Sequence, residues 1–433
     1  MVTRELEQAY AALSAKSEEY ARYWAYHDGL HPQVYADNRL REVFHDARLE
    51  SFHLNLCRVV VEALDNLISL KGVGVPGDPA ADAHLQEVVE RERLLWVADG
   101  LHEAVLVCGE AYLFVWPDEE GRYRLYLNRP EQGHVFYDPN DPREVAYAAK
   151  WYVDEEGYRR LSLYYPERVE FYRSRMKAGN VVAASSFEPY GQSPVVEHEM
   201  GRVPVFHFRV RHRAVSRLRD VVPLQNAVNK LLQDMMVAAE FGAFHQRWII
   251  SNADLEALKS RPGEIWQIPA GAEGEQVAVG EFSTTDLGNY LDAMDRLVAM
   301  VGALTSTPKH YFFGQAGVPS GEALLAMEAP LMHQARDMIA RLKEVWQELF
   351  VFVLGLEGYR VAKGDVRVIY EEPHTVQPLT EAQVRAQGVR AGIPLRLLLK
   401  REGWTDAELA EYDEAVRQDR ALEEVDGDAG DGL

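Results

Sequence analysis

Six stretches of this chain carry residue types at spacings that could do chemistry. The segment "GVGVPG", residues 72–77, matches G-x-G-x-x-G, the spacing that lets a backbone approach a pyrophosphate where a helix begins. "HYFFGQAGVPSG", residues 310–321, is a glycine-rich loop feeding a helix-forming run, as in a phosphate cradle or a nucleophile turn. Asp138 and Asp141 in "YDPNDP" are paired carboxylates of the kind a metal-dependent nuclease uses. "EHE", residues 197–199, offers metal ligands, and Asp426, Asp428 and Asp431 alternate as in a calcium loop. Finally, "FRVRHRAVSRLRD" gathers Arg209, Arg211, Arg213, Arg217 and Arg219, a set able to grip phosphates or carboxylates.

Most of these fail on their own terms. A P-loop needs a Lys on the phosphates and a hydroxyl for magnesium, but five residues after Gly314 and Gly317 stand Pro319 and Glu322. In "GVPSG" the serine comes one position late for a nucleophile elbow, so Ser320 reads as a helix cap. "GVGVPG" follows a helical segment, and Pro76 with Pro79 interrupts the helix it should open, so it reads as a helix-terminating loop. Asp138 and Asp141 flank a Pro-Asn turn, where Asp bonds its own backbone. The 14 histidines form no H-E-x-x-H pair, "EHE" sits in a polar loop, and the tail lacks the Glu that closes a calcium loop. The arginine cluster keeps two readings, phosphate contact or salt bridges to an acidic neighbouring subunit.

The elements that must position these residues follow from periodicity. Residues 1–100 read as helical, because Leu56, Val59, Val60, Ala63, Leu64, Leu67 and Ile68 recur at 3.6-residue spacing. Between 104 and 209, seven short runs rich in Val, Tyr and Phe predict a mostly antiparallel sheet of five to seven strands, with "PDEEG" and "DEEG" as hairpin turns. Residues 220–243 predict a helix with Pro223 in its first turn and a stripe of Leu224, Val228, Leu231, Leu232, Met235 and Ala239. Gln225, Asn229 and Asp234 are read as lying off that stripe. A second helix, capped by Thr284 or Thr285, carries Leu287, Leu291, Met294, Leu297, Val298, Val301 and Leu304. The roughly 40 residues between form a small module, giving a stalk with a tip whose apolar stripes need a partner, most simply copies of the chain. A long helix from Ser320 to about Leu356 contains Pro330, which predicts a kink. "DVRVIYEE" reads as one more strand, residues 380–422 as helical with breaks at Gly392 and Pro394, and the end as an acidic tail.

Composition narrows the function classes. With 433 residues, 47% of them hydrophobic, the chain can bury a sizeable core. A formal net charge of −22 argues against a protein that clamps nucleic acid by neutralising phosphates. Cys57 and Cys108 lie in apolar segments and suggest neither a disulfide framework nor a zinc site, and no apolar run reaches membrane-spanning length. These features fit a soluble protein made in a cytoplasm.

The order of parts, with "HEAVLVCGEAYLFVW", "GRVPVFHF", "VVPLQNAVNKLLQDMMVAAEF" and "YFFGQAGVPSGEALLAMEAPL" in sequence, resembles the portal proteins of tailed double-stranded DNA bacteriophages, of the siphovirus type. The resemblance covers nearly the whole chain and implies an α+β portal fold, mostly helical, assembled as a ring usually of twelve subunits. It implies a wing at 1–214 and 309–375, a two-helix stem at 215–244 and 285–308, a small α/β clip at 245–284 and a helical crown at 376–433. It places a tunnel loop at Tyr311, Phe312, Phe313, Gly314, Gln315, Gly317, Val318, Pro319 and Ser320, lining the channel, with Val318 as an apolar constriction. Trp248, Trp266 and Phe282, at the tip, read either as interface anchors or as a small local core, and the resemblance makes them clip-interface candidates. The implied partners are DNA in transit, the terminase motor, head-completion or tail connector proteins, and capsid and scaffold proteins, with no membrane and no cofactor. The implied place is the portal vertex of a virion, assembled in the host cytoplasm. Two other readings stand beside it: a nucleic-acid-processing enzyme such as a nuclease, or another homo-oligomeric assembly protein. The short C-terminal part departs from portals that carry a long barrel-like extension.

Overall fold

The computed structural model of the protein describes residues 3–31, 53–180, 183–211, 213–243, 247–250, 278–281, 286–313, 321–373 and 385–401, with 409, 412–414 and 416–417. Helix α1 (Arg4–His27) opens at Thr3, whose side chain accepts from the Leu6 N–H at 3.2 Å. It joins two cores. Its first turns bury Leu6, Ala9 and Leu13 against Trp151, Leu161 and Phe187 of a large sheet, and its last turns send Tyr20, Tyr23 and Tyr26 into the main helical core.

Four more elements build the first part of that core: α2 (Leu56–Asp65), strand β1 (Leu70–Gly74), α3 (Pro79–Glu92) and α4 (Leu94–Cys108). The loop expected at residues 72–77 is therefore partly a strand. β1 pairs antiparallel with β13 (Arg367–Tyr370), the run "DVRVIYEE", so residues 70–74 are drawn extended by a partner nearly 300 positions away. The helix start that follows is already occupied. Asp78 accepts from the N–H groups of Ala80 and Ala81 at 3.1 Å, and Asp82 accepts from Val75 N–H at 2.7 Å, which uses the amides a phosphate would need.

All seven strand segments read from residues 104–209 form, but in two sheets rather than one. β2 (Glu110–Pro117) lies between β3 (Tyr123–Asn128) and β10 (Val205–Arg209). The six-stranded sheet takes β4 (Gly133–Tyr137), β5 (Val145–Val153), β6 (Tyr158–Tyr164), β7 (Arg168–Lys177) and β8 (Phe187–Pro189), with β9 (Val195–Glu197) on β7. Both acidic turns are hairpin turns with Gly121 and Gly157 at φ +78° and +84°, where a side chain would be strained. The two sheets differ in burial. β2 is covered on both faces along its length, Ala111 through Val115 all being buried, whereas β5 gives Tyr147, Ala149 and Trp151 to α1, buries Ala148 on its other face and exposes its last two residues.

The C-terminal half adds α5 (Val222–Ala243), β11 (Arg247–Ile250), β12 (Ala278–Glu281), α6 (Gly288–Thr305), α7 (Gly321–Leu356) and α8 (Leu395–Arg401). α7 runs helical for 36 residues with Pro330 inside it and sinks Leu331, Leu342, Trp346, Phe350 and Leu354 into the main core. Trp346 Nε1–H donates to Tyr370 Oη at 2.9 Å, and the same hydroxyl lies 2.9 Å from His102 Nε2, tying α7, β13 and α4 together. Among the described residues no helix is long and apolar enough to cross a membrane.

One group in this core works against it at neutral pH. Burial first, and then the charges of Glu103, Asp99 and Glu62, push the Asp65 carboxyl up to about 7. An Asp raised in the folded state leaves stability intact below its unfolded pKa and withdraws it as pH rises towards the folded value. Asp65→Asn should therefore match wild type near pH ~4 and melt a few degrees higher above pH ~7 by thermal denaturation. A constant difference across that range would exclude titration of Asp65 as the cause.

Candidate functional site

The predicted stalk is built from α5 and α6, which run antiparallel and are joined at the far end by the β11–β12 pairing, Arg247 opposite Glu281 and Ile250 opposite Ala278. Pro223 sits in the first turn of α5 as expected. Residues 282–285 lie outside the described residues, Thr284 and Thr285 among them. The Asp286 side chain accepts from Gly288 N–H at 2.8 Å and closes the first turn of α6.

The base of α5 corrects the sequence reading. Gln225 and Asn229, expected off the stripe, are buried completely. Gln225 Oε1 accepts from the N–H groups of Leu56 and Cys57 at 2.7 and 3.3 Å, satisfying the start of α2, while its Nε2 donates to Leu54 O at 2.7 Å. Asn229 Oδ1 accepts from Leu54 N–H at 3.1 Å, and Tyr26 donates to Asn226 Oδ1 at 2.8 Å. The stalk is thus bolted to α1 and α2 by hydrogen bonds as well as by Val228 and Leu232.

α6 divides its apolar residues between two faces. Met294, Val298 and Val301 are buried, but Leu291 and Leu304, placed on the same stripe from sequence, are 55% and 60% exposed. Tyr290, Ala293, Leu297, Met300 and Leu304 follow one another in alternating three- and four-residue steps, a coiled-coil spacing, along a face that runs from half-buried to exposed.

The arginine cluster also divides. Arg217 turns inward: Nε donates to Val60 O at 3.0 Å, NH1 to Gln334 Oε1 at 2.8 Å and NH2 to Thr305 O at 2.8 Å. It therefore caps the C-terminus of α6 and joins it to α2 and α7. Burial, and then the neighbouring Arg211 charge, bring its pKa down to about 10. Arg209 lies over the Tyr137 ring at 4.8 Å, Arg219 pairs with Asp220 at 3.1 Å, and Arg211 and Arg213 are exposed.

After α6 the chain turns at Lys309–Tyr311. His310 Nε2 lies 3.2 Å from Glu328 Oε1, and Phe312 packs on the main core while Tyr311 and Phe313 face outward. Gly314, Gln315, Gly317, Val318, Pro319 and Ser320 lie outside the described residues, as do Trp266 and Phe282. Trp248 is 37% exposed, and its ring lies against Gly280, leaving no room for a Cβ there. Of the remaining candidates, Asp138 and Asp141 accept from Asn140 and Arg143 N–H within their own turn. His198 lies edge-on to Trp116 rather than free in solvent.

A model of the family described as phage portal protein, SPP1 Gp6-like, matches residues 44–422. The chain belongs to this family. Two curated relatives carry the name portal protein. That of Mycobacterium phage D29 is 24% identical over 409 residues, 83% of this chain and 78% of that one; that of Mycobacterium phage L5 is 27% identical over 185 residues, 39% and 36% respectively. Among solved structures, a chain from the neck of a native gene transfer agent particle aligns over 84% of this chain and 93% of that one, with TM-score 0.49 and 12% identity. A chain from the virion of that particle aligns with TM-score 0.46 and 13% identity, over 84% and 91%.

Within this portal chain the sequence reading missed Gln225 and Asn229 as the residues that fix α5. A signal was present: Gln225 stands three residues before Val228 and seven before Leu232, inside the helical period of the buried face. It also missed Arg341, which lines the same cleft as Arg211 and Arg217 from 120 or more positions away.

Proposed function

We propose that this chain assembles into the ring-shaped channel at one capsid vertex, through which DNA is packaged by a terminase motor and later ejected, and to which connector proteins attach. The observation that carries this reading is the portal-family match across residues 44–422. The antiparallel α5–α6 pair serves as the stem and residues 245–284 as the clip. The wing is 1–214 with 309–375, and the crown is 376–433. The outward seam on α6, ending in exposed Met300 and Leu304, supports packing against another helix, and neighbouring copies supply one.

The charge fits a conduit. With a net charge of −22 the channel walls do not hold the duplex through many phosphate contacts, so DNA can slide. The chain performs no catalytic step, and the terminase supplies the energy. The segment from Tyr311 to Ser320 is the tunnel loop: Phe312 anchors its start to the core and Val318 forms the constriction.

Electron microscopy of the purified chain with native mass measurement should show closed rings with a central opening; a monomer at high concentration would overturn the reading. Val318→Asp should leave ring mass unchanged and lower the amount of DNA packaged or retained per particle. If that substitution instead blocks ring formation, residue 318 lies at a subunit contact and the tunnel-loop assignment fails.

A further inference from the structure

A cleft of about 270 Å³ opens where the end of α6 meets α7, α2 and α4, and three arginines line it: Arg211, Arg217 and Arg341. The hydrogen bonds of Arg217 go to two backbone carbonyls, an amide oxygen and the Thr307 hydroxyl, none of which carries a charge. Arg211 and Arg341 are exposed, and neither is in an ion pair among the described residues. Two carboxylates also line the cleft, Asp220, which pairs with Arg219 at 3.1 Å, and Asp337, whose other neighbour is His333 at 3.8 Å, so the three guanidiniums outnumber the acids. A cluster with more cations than anions raises its own electrostatic cost, and an incoming carboxylate relieves it through charge-assisted bonds.

We infer that this cleft receives an acidic side chain, with apolar residues beside it, from a second copy of this chain. Three observations choose that occupant. The chain holds 68 acidic residues against 46 basic ones, so a neighbouring copy presents carboxylates in excess. Leu304, exposed in the single chain, lines the cleft next to the arginines, and an apolar wall suits a protein segment better than a phosphate backbone. Leu304 is also the last residue of the outward seam on α6, so the cleft continues the face offered to another helix. The inference rests on the ring reading and adds where on the chain one subunit grips the next.

The test uses the full chain with Arg211→Glu and Arg341→Glu combined, both at exposed positions outside the Arg217 hydrogen bonds. Ring formation is followed against protein concentration by mass photometry, and folding by circular dichroism melts. The charge-reversed chain should melt as wild type does and need at least about tenfold more protein to assemble, the equivalent of ~1.4 kcal/mol per contact. A photo-crosslinking residue at position 304 should join two copies through an acidic segment. Wild-type assembly by the charge-reversed chain, or crosslinks confined within one copy, would overturn the cleft assignment and leave the ring standing. Normal assembly with weakened binding of duplex DNA would overturn it in favour of a nucleic-acid contact. A wild-type chain that never assembles would overturn both readings together.

Discussion

Replacing Glu110 by Gln should lower the unfolding free energy by ~3–5 kcal/mol, the cost of leaving one member of a buried ion pair unpartnered. Glu110, the first residue of β2, is 3% exposed, and everything around it is arranged for a carboxylate. The Lys16 ammonium of α1 meets it directly and also donates to Tyr112 Oη at 2.8 Å. Tyr20 donates to Oε1 at 2.7 Å, and His207 Nε2 lies 2.9 Å from Oε2 while its Nδ1 lies 2.9 Å from Tyr137 Oη. Burial alone would raise the carboxyl, but the His207 hydrogen bond and the Lys16 charge outweigh it and hold Glu110 below the ordinary carboxylate range. Burial lowers His207, so the neutral ring donates from Nε2 and accepts from the tyrosine. A depressed carboxylate contributes stability above its unfolded pKa and loses it only as pH falls through the folded value, so the pair holds at all but strongly acid pH. Burial also lowers Lys16, against the pull of Glu110. The penalty in Glu110→Gln should therefore shrink as pH rises and Lys16 sheds its proton. The double change Lys16→Met with Glu110→Gln should cost less than the single one, measured by urea melts. Equal costs for single and double variants would mean that the ion pair contributes nothing beyond packing.

Nothing in the sequence separates Glu110 from the other acidic residues, because its partners stand 94 and 97 positions away on α1 and β10. What was legible was whatever repeats locally. The Val- and Tyr-rich runs gave seven of the nine strands described over residues 104–209, missing the three-residue β8 and β9, and the two acidic Gly turns gave their hairpins, because alternation and positive φ are local demands. The division into two sheets was not legible, since it depends on distant pairing, β10 returning to β2 past the whole six-stranded sheet. β1 was missed for a related reason: Leu70 to Gly74 is weak as a strand and becomes one only by pairing with β13. The arginine cluster was visible as composition, yet its members do different things. Arg217 and Arg219 are two residues apart, and one is built into the interior while the other pairs with Asp220 in solvent. Periodicity found the α6 stripe but merged two faces, because Met294, Val298 and Val301 lie next to the outward set on the same helix.

Arg217→Ala should cost ~3 kcal/mol, from lost hydrogen bonds to a charged donor and from carbonyls left without partners. The size follows from what the side chain joins. One guanidinium reaches Val60 O on α2, Thr305 O at the end of α6 and Gln334 on α7, so a single side chain joins three elements. The backbone around it leaves no slack. Arg217 N–H donates to Leu106 O at 3.0 Å and Ser216 Oγ to Val107 O at 2.5 Å, which presses residue 215 onto Gly109 until a Cβ there would sit 2.4 Å from Val215 N. Gly302 is held as closely, with Thr307 O 2.8 Å from where its Cβ would be. Arg217→Lys tests geometry against charge. A lysine keeps the positive end at the helix C-terminus, but one ammonium cannot span the three acceptors, so most of the loss should remain. A lysine variant as stable as wild type would show that the charge at the end of α6, not the fork, holds the helix in place. If the fork is what matters, hydrogen exchange should quicken in the last turn of α6 and the start of α2 in both variants, and remain as in wild type in the six-stranded sheet. Because Arg217 is also the interior wall of the arginine cleft, the proposed subunit contact there predicts that loosening it weakens assembly further than the stability loss alone accounts for.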